Sequence, residues 1–463
     1  MFNIVDKFGL EKSIIGLGAL VNFTVAFIST CVSVAIPVMA KDLAMNNIMQ
    51  NWVATLFLLL IAAFSIPFGK ICGKYGLKKS LFIGLIIILI GAFASALSFS
   101  GYMLLFFRAF QGVGAALTNV ASMALVVMAV SPNKRGRALG INIMSVYIGL
   151  SLSPVLSGIL TTNLGWPSIF YITVPLIIIS LFLTYSIKEE WLSYENASID
   201  KFGSIVYILG IILFIYGFSS INSLIGIISI IIGLILLILF AVIELKIEEP
   251  IFDVRLFKNS EFALSNLASM ISYIATFVIT FVLNYHFQYI LGMDSQTAGL
   301  YLIMTPLVMA ILSPISGTLS DKVKPHYLAS LGMFFVAVAI GILCFLNETT
   351  PIYLIIIAMI LQGLGYGLFA SPNNNIIMSS VPPKDTSSAS ASLSAVRVIG
   401  QTMSLGMLTV IFAFIMGNVP MIPKYYPLLM ESSRIACIIA VIACVIAIFA
   451  SIVGINSNSS KDS

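Results

Sequence analysis

Long apolar runs alternate with short polar segments along the whole chain. Many runs of about 18 to 24 residues carry no charge, which is long enough for a helix to cross a ~30 Å hydrocarbon core. The pattern predicts helices near 13–37, 51–69, 80–99, 102–126, 138–161, 168–187, 203–221, 223–244, 262–285, 296–318, 327–346, 351–371, 394–416 and 434–454. The first run is too long for the core of a signal peptide and leads directly into further spans, so it is expected to stay in the mature protein. The expected fold class is an all-α membrane protein with fourteen transmembrane helices.

Composition supports this. Of 463 residues, 60% are hydrophobic and 9% charged, against about 25% charged in ordinary soluble domains. The hydrophilic segments are too short to fold as a separate catalytic domain, and there is no G-x-x-x-x-G-K-[ST] phosphate loop. An enzyme or an ATP-driven pump is therefore not expected. His286 and His326 are far apart, and Cys31, Cys72, Cys344, Cys437 and Cys444 lack metal-ligand spacing, so neither a metal nor a cofactor is expected.

The net charge of +5 is not a nucleic-acid signal, because the basic residues sit in short loops. Apart from Arg108 and Arg397, which lie in predicted spans, only Lys41, Lys424 and Arg434 fall on the side opposite the N-terminus. The positive-inside rule then places both termini in the cytoplasm of a multi-pass plasma-membrane protein.

The two halves repeat. Gly69 opens "GKICGKYGLKKSLFIG" and Gly317 opens "GTLSDKVKPHYLASLG". "QGVGAA" at Gln111 returns as "QGLGYG" at Gln362, "SPNKRGRALG" at Ser131 as "VPPKDTSSAS" at Val381, and "YIG" ending at Gly149 as "VIG" ending at Gly400. The offsets are 248, 251, 250 and 251 residues. Six helices per copy in one orientation leave the seventh and eighth as an extra central pair. The expected division is an N-terminal bundle at 1–188, two additional helices with linkers at 189–261, and a C-terminal bundle at 262–463. Parallel repeats related by an axis along the membrane normal are an arrangement of alternating-access carriers.

At these residues the chain resembles the major facilitator superfamily, and within it the fourteen-helix drug:proton antiporter branch. The resemblance covers nearly the whole chain. It rests on "VSVAIP" from Val32, "WVATLFLL" from Trp52, "RAFQGVGAA" from Arg108, "GLSLSPVLSG" from Gly149, "GWPSIFYITVP" from Gly165 and "EEPIFDVRLFKNSEF" from Glu248. It implies a secondary exporter of amphipathic small molecules (multidrug efflux) that exchanges them for protons and works as a monomer in the lipid bilayer. A lipid or metabolite carrier with different coupling, or a ligand sensor on the same scaffold, is the alternative.

Arg108 is the one cation within the N-terminal bundle, and a guanidinium in a span needs polar surroundings. The resemblance implies a cavity-facing charge tied to proton or substrate movement; snorkelling to the outer surface is the competing reading. Gln111 shares its helix face and could share its hydrogen bonds. Arg397 is expected near the start of its helix, where the family has an arginine at a similar place, although an interfacial charge is equally compatible. The helix carrying Gly149, Ser153, Pro154, Ser157 and Gly158 resembles the antiporter motif, with serines where glycines are usual; the resemblance implies a seal between the bundles, loosened by those serines. Asn22, Thr30, Asn119 and Tyr147 are further cavity candidates. "SPNNN" from Ser371 reads as a solvated helix end, and His286 as a solvated interfacial histidine.

Two features are absences. Ile28 occupies the place where the related branch often has an aspartate, and no Asp or Glu lies well inside a predicted span. In the loop after the second span, Gly69, Gly76, Lys78 and Lys79 follow the family's gating pattern, but Gly73 stands at its acidic position. The second copy, opened by Gly317, keeps that acid as Asp321.

Overall fold

The computed structural model describes residues 9–193, 198–417 and 423–459. Fourteen helices are long and apolar enough to cross a membrane, and no strand occurs among the described residues. We number them α1 (Leu10–Thr30, continued by Val32–Asp42), α2 (Asn47–Tyr75), α3 (Leu77–Ala96), α4 (Gly101–Ala129), α5 (Arg135–Leu164), α6 (Thr173–Ser186), α7 (Lys201–Ser219), α8 (Leu224–Lys246), α9 (Ser260–Tyr285), α10 (Met304–Ser320), α11 (Pro325–Leu343), α12 (Ile352–Ser379), α13 (Thr386–Ile415) and α14 (Tyr426–Ser459). Helices α1–α6 and α9–α14 form two six-helix bundles, and α7–α8 is the extra pair. The face carrying the loops after α2, α4, α10 and α12 holds most of the basic residues and is called the basic face below.

Polar residues start several helices by accepting otherwise orphaned N–H groups. Asn46 accepts from Met49 N, Ser100 from Met103 N, Ser223 from Gly226 N and Asn259 from Glu261 N. Helix α1 is interrupted at Cys31. Ser29 and Thr30 donate their hydroxyls to Ala26 O, and Arg108 donates to Ile28 O. Carbonyls that the next turn would use are thus already engaged.

Several elements extend beyond the apolar pattern. Helix α12 runs on through "SPNNN", which is not a solvated end: Ser371 and Asn373 are fully buried, and Asn373 Nδ2 donates to Ser265 O and Ser269 Oγ. Helix α13 begins at Thr386, eight residues before the expected start, because its serine-rich first turns are buried between the bundles. His286 is also buried, within a π-helical turn after α9. Hydropathy undercounts such segments, since small hydroxyl residues pack well once their O–H groups find backbone carbonyls.

The bundles meet through α5 on α10, and through α2 and α4 on α13. Helix α7 packs on α2 and α13, with Tyr207 Oη donating to Ala62 O. Helix α8 packs mainly on α7 and turns Ile225, Ile228, Ile232, Ile235 and Ile238 outward, as a lipid-facing helix does.

Candidate functional site

Arg108 neither snorkels nor faces an open cavity. It is completely buried, with Nε donating to Val53 O at 3.0 Å and Nη1 to Ile28 O at 3.3 Å and Gln111 Oε1 at 2.7 Å. Its guanidinium lies 4.4 Å from the centroid of the Phe57 ring, and Nη2 has no partner. Gln111 Nε2 reaches Ser95 Oγ. The arginine therefore ties α1, α2 and α4 together. The Ile28 turn, where the resemblance implies an acid, offers it only a carbonyl.

The antiporter-like segment also packs inside the first bundle. A Cβ on Gly149 would overlap Phe23 O, Ser153 Oγ donates to Phe27 O at 3.0 Å, and Gly158 lies against Val34, all on α1. Pro154 is exposed, and Ser157 is buried without a recorded partner. Ser153 thus binds α5 to α1 instead of loosening a seam. Asn22 belongs to the same contact, donating to Asn142 Oδ1 at 2.8 Å. Thr30 is half-buried and bonded within its own helix. Asn119 is half-buried, and its Nδ2 is enclosed without a hydrogen-bond partner.

Close contact between the bundles starts at the basic face. Asp321 accepts from Gly136 N at 2.7 Å and Arg137 N at 2.9 Å, so one carboxylate caps the N-terminus of α5 from across the seam. Ser371 Oγ donates to Gly136 O. Backbone nearly touches backbone here: a Cβ on Gly136 would overlap Gly317 O, and one on Gly140 would overlap Ser313 O. Beside α13, a Cβ on Gly69 would crowd Ala391 and Ser387 O. Ser390 Oγ donates to Val120 O, and Ser65 Oγ to Ser394 Oγ.

The loop with Gly73 is held differently. Glu190, from the linker after α6, accepts from Lys78 N at 2.8 Å and Lys79 N at 3.1 Å. Ser193 N donates to Gly73 O, and Leu77 N to Trp191 O. Gly76 has φ 104°, and a side chain there would collide with Glu190.

Among the described residues, the hydrogen bonds and ring contacts between the bundles end, moving away from the basic face, at an aromatic cluster. Tyr147 of α5 lies edge-on to Tyr366 of α12, centroids 6.1 Å apart, and Tyr273 of α9 is 5.9 Å from Tyr366. Arg397 lies in electrostatic reach of Tyr147 and is half-buried. It stands eleven residues into α13, not near the helix start, and no hydrogen bond or ion pair is recorded for it among the described residues. From residue 43 to 188, and from 262 to 293, the sequence contains no Asp or Glu. Tyr273, Tyr366 and Asn142 were not singled out from sequence. Tyr366 was within reach, as it replaces Ala115 in the otherwise parallel "QGLGYG" and "QGVGAA" segments.

Two parallel six-helix bundles meeting along a polar seam are an architecture of membrane transporters. The family model of the Major Facilitator Superfamily matches residues 18–405 and 265–459, and the chain belongs to that family. It is 30% identical over 385 residues to the riboflavin transporter RibZ of Clostridioides difficile, covering 82% of this chain and 84% of that one. It is 27% identical over 407 residues to the multidrug resistance protein Stp of Mycobacterium tuberculosis, covering 86% and 74%. In fold it is similar to the human organic anion transporter MFSD10 (TM-score 0.68, 11% identity, 95% and 99% covered) and to the proton:xylose symporter XylE (TM-score 0.63, 14% identity, 94% of each).

Proposed function

We propose that the protein is a secondary active exporter of amphipathic small molecules. It works by alternating access with proton antiport, and the basic face is cytoplasmic. The arrangement described is then the one closed to the cytoplasm. The observation carrying the substrate reading is the cluster of Tyr147, Tyr273 and Tyr366 beside Arg397, on a seam poor in acids.

Tyrosine rings offer flat surfaces for stacking, and a half-buried arginine with no carboxylate partner among the described residues favours an anion or an electron-rich polar group. A lipophilic cation would find no counter-ion there. The preferred substrates are planar aromatic molecules that are neutral or anionic. The similarity to a riboflavin transporter supports that choice, and the similarity to a multidrug resistance protein supports breadth and export.

The test is uptake into inverted membrane vesicles energised by a proton gradient. Riboflavin and fluorescein should accumulate, a protonophore should abolish the accumulation, and Arg397→Gln should reduce fluorescein more than riboflavin. Ethidium transport with neither of the other two moved would overturn the substrate reading. Accumulation unaffected by the protonophore would overturn proton antiport.

A further inference from the structure

The extra helix pair carries a carboxyl group that the substrate seam does not use. Glu244, at the basic-face end of α8, is fully buried. Its Oε2 accepts from Phe252 N at 3.2 Å, and its Oε1 has no partner. Asp200 at the start of α7 repeats this division: Oδ1 accepts from Phe202 N at 2.9 Å, while Oδ2 is buried and unpartnered. The two orphan oxygens converge on one point, since a Cβ on Gly203 would overlap both Asp200 Oδ2 and Glu244 Oε1. Only glycine leaves that space open.

A buried carboxylate oxygen without a donor is costly, and two facing each other are costlier. A single proton is the donor both lack. We propose that Glu244 and Asp200 form a proton-binding site in which a proton on Glu244 is shared with Asp200, and that its release loosens the basic-face closure.

The surroundings supply a coupling route. Lys70, buried at the basic-face end of α2, lies in electrostatic reach of Glu244, Glu249, Asp253 and Asp385, and Lys74 reaches Glu249. Glu249 and Asp253 belong to the linker after α8, and Asp385 precedes α13. Once its proton is lost to the aqueous side past half-buried Asp200, Glu244 becomes an anion in electrostatic reach of Lys70. That draws Lys70 away from the α13 side of the seam. Glu244 also holds Phe252, and the linker runs through Phe257, whose ring packs on Phe262 of α9 at 5.2 Å. A proton change on α8 therefore reaches both bundles.

This deepens the proton-coupled reading above and rests on it for the direction of net proton flow. Its test contains no substrate, so the two can fail separately. The full chain is placed in lipid nanodiscs, with spin labels at Lys79→Cys and Lys384→Cys on opposite bundles. Distances and infrared difference spectra are recorded across a pH series. The wild type should show a protonated-carboxyl band that disappears with rising pH as the labels move apart. Glu244→Gln should lose the band and hold the short distance at every pH. Asp200→Asn and Gly203→Ala, which change the shared space while keeping Glu244, should each shift the midpoint by about one pH unit or more. A band and midpoint unchanged in Glu244→Gln would overturn the site. Loss of the band without any change in the distance titration would overturn the coupling. If Glu244→Gln does not fold, unshifted midpoints in both other variants overturn the proposal.

Discussion

The loops after α2 and α10 occupy matching places in the two repeats, yet they close the basic face by different means. The α10–α11 loop reaches across with a charge: Asp321 binds two N–H groups at the start of α5. The α2–α3 loop has Gly73 at the matching place and is tethered within its own side of the molecule by Glu190 and Ser193. Its seam with α13 is made of close packing at Gly69, the buried serines of the first α13 turns and Lys70 in electrostatic reach of Asp385, with no carboxylate capping a helix across it among the described residues. The two repeats thus close the same face with a carboxylate cap across the seam in one copy and close packing beside Lys70 and Asp385 in the other.

That contrast can be broken most strongly at the α5–α10 contact. Gly136→Leu would force a side chain into Gly317 O and Asp321. Overpacking of this kind costs about 1–3 kcal/mol or more, so the closed-to-open ratio should fall at least about fivefold in spin-label distance measurements across the bundles. Asp321→Asn keeps the shape but removes the charge from two helix-end hydrogen bonds. About 1.5–2 kcal/mol of closure should be lost, and the same labels should report a mixed population.

Glu190→Ala probes the other loop. It removes a cap on α3, costing about 1 kcal/mol in thermal stability, and should leave the distance distribution unchanged. Equal opening by Glu190→Ala and Asp321→Asn would erase the distinction between tether and clasp. Gly73→Asp supplies the missing acid near the start of α13 and should favour closure by about 0.3–1 kcal/mol, an effect that high salt reduces.

The smallest effect concerns Glu249. Hydrogen bonds from Ser198 hold its carboxyl below the usual carboxylate range. A depressed folded-state value means the contact is intact above the ordinary carboxylate pKa and is lost as pH falls through the lowered one. Protection of the Ser198 amide, its exchange rate relative to the intrinsic rate at the same pH, should hold at neutral pH and fall only under acid below that ordinary range. Loss of protection already near neutrality would contradict this.

The fourteen spans and the repeat were legible because hydropathy and spacing are properties of single segments and their order. What escaped depends on partners distant in sequence. Arg108 reads as a lone costly charge until Val53 O, Ile28 O and the Phe57 ring surround it. The first turns of α13 read as a polar loop, because nothing local tells that Ser390 will find Val120 O. Glu244 reads as a helix-end residue, and only the fold of the following linker buries it. In the antiporter-like segment the small residues face α1, and the glycines of α5 that meet the other bundle, Gly136 and Gly140, lie about two and a half to three and a half turns before Gly149.

The backbone-to-backbone approach of Gly136 to Gly317 has a consequence for efficiency. Where main chains touch, no space remains for a file of water molecules, and protons move readily only along such files. A carrier driven by a proton gradient wastes that gradient whenever a wire of water forms without cargo. Side chains that close a gap fluctuate among rotamers; two glycine backbones do not. Under the proposed proton coupling, Gly136 and Gly317 would act as its insulation.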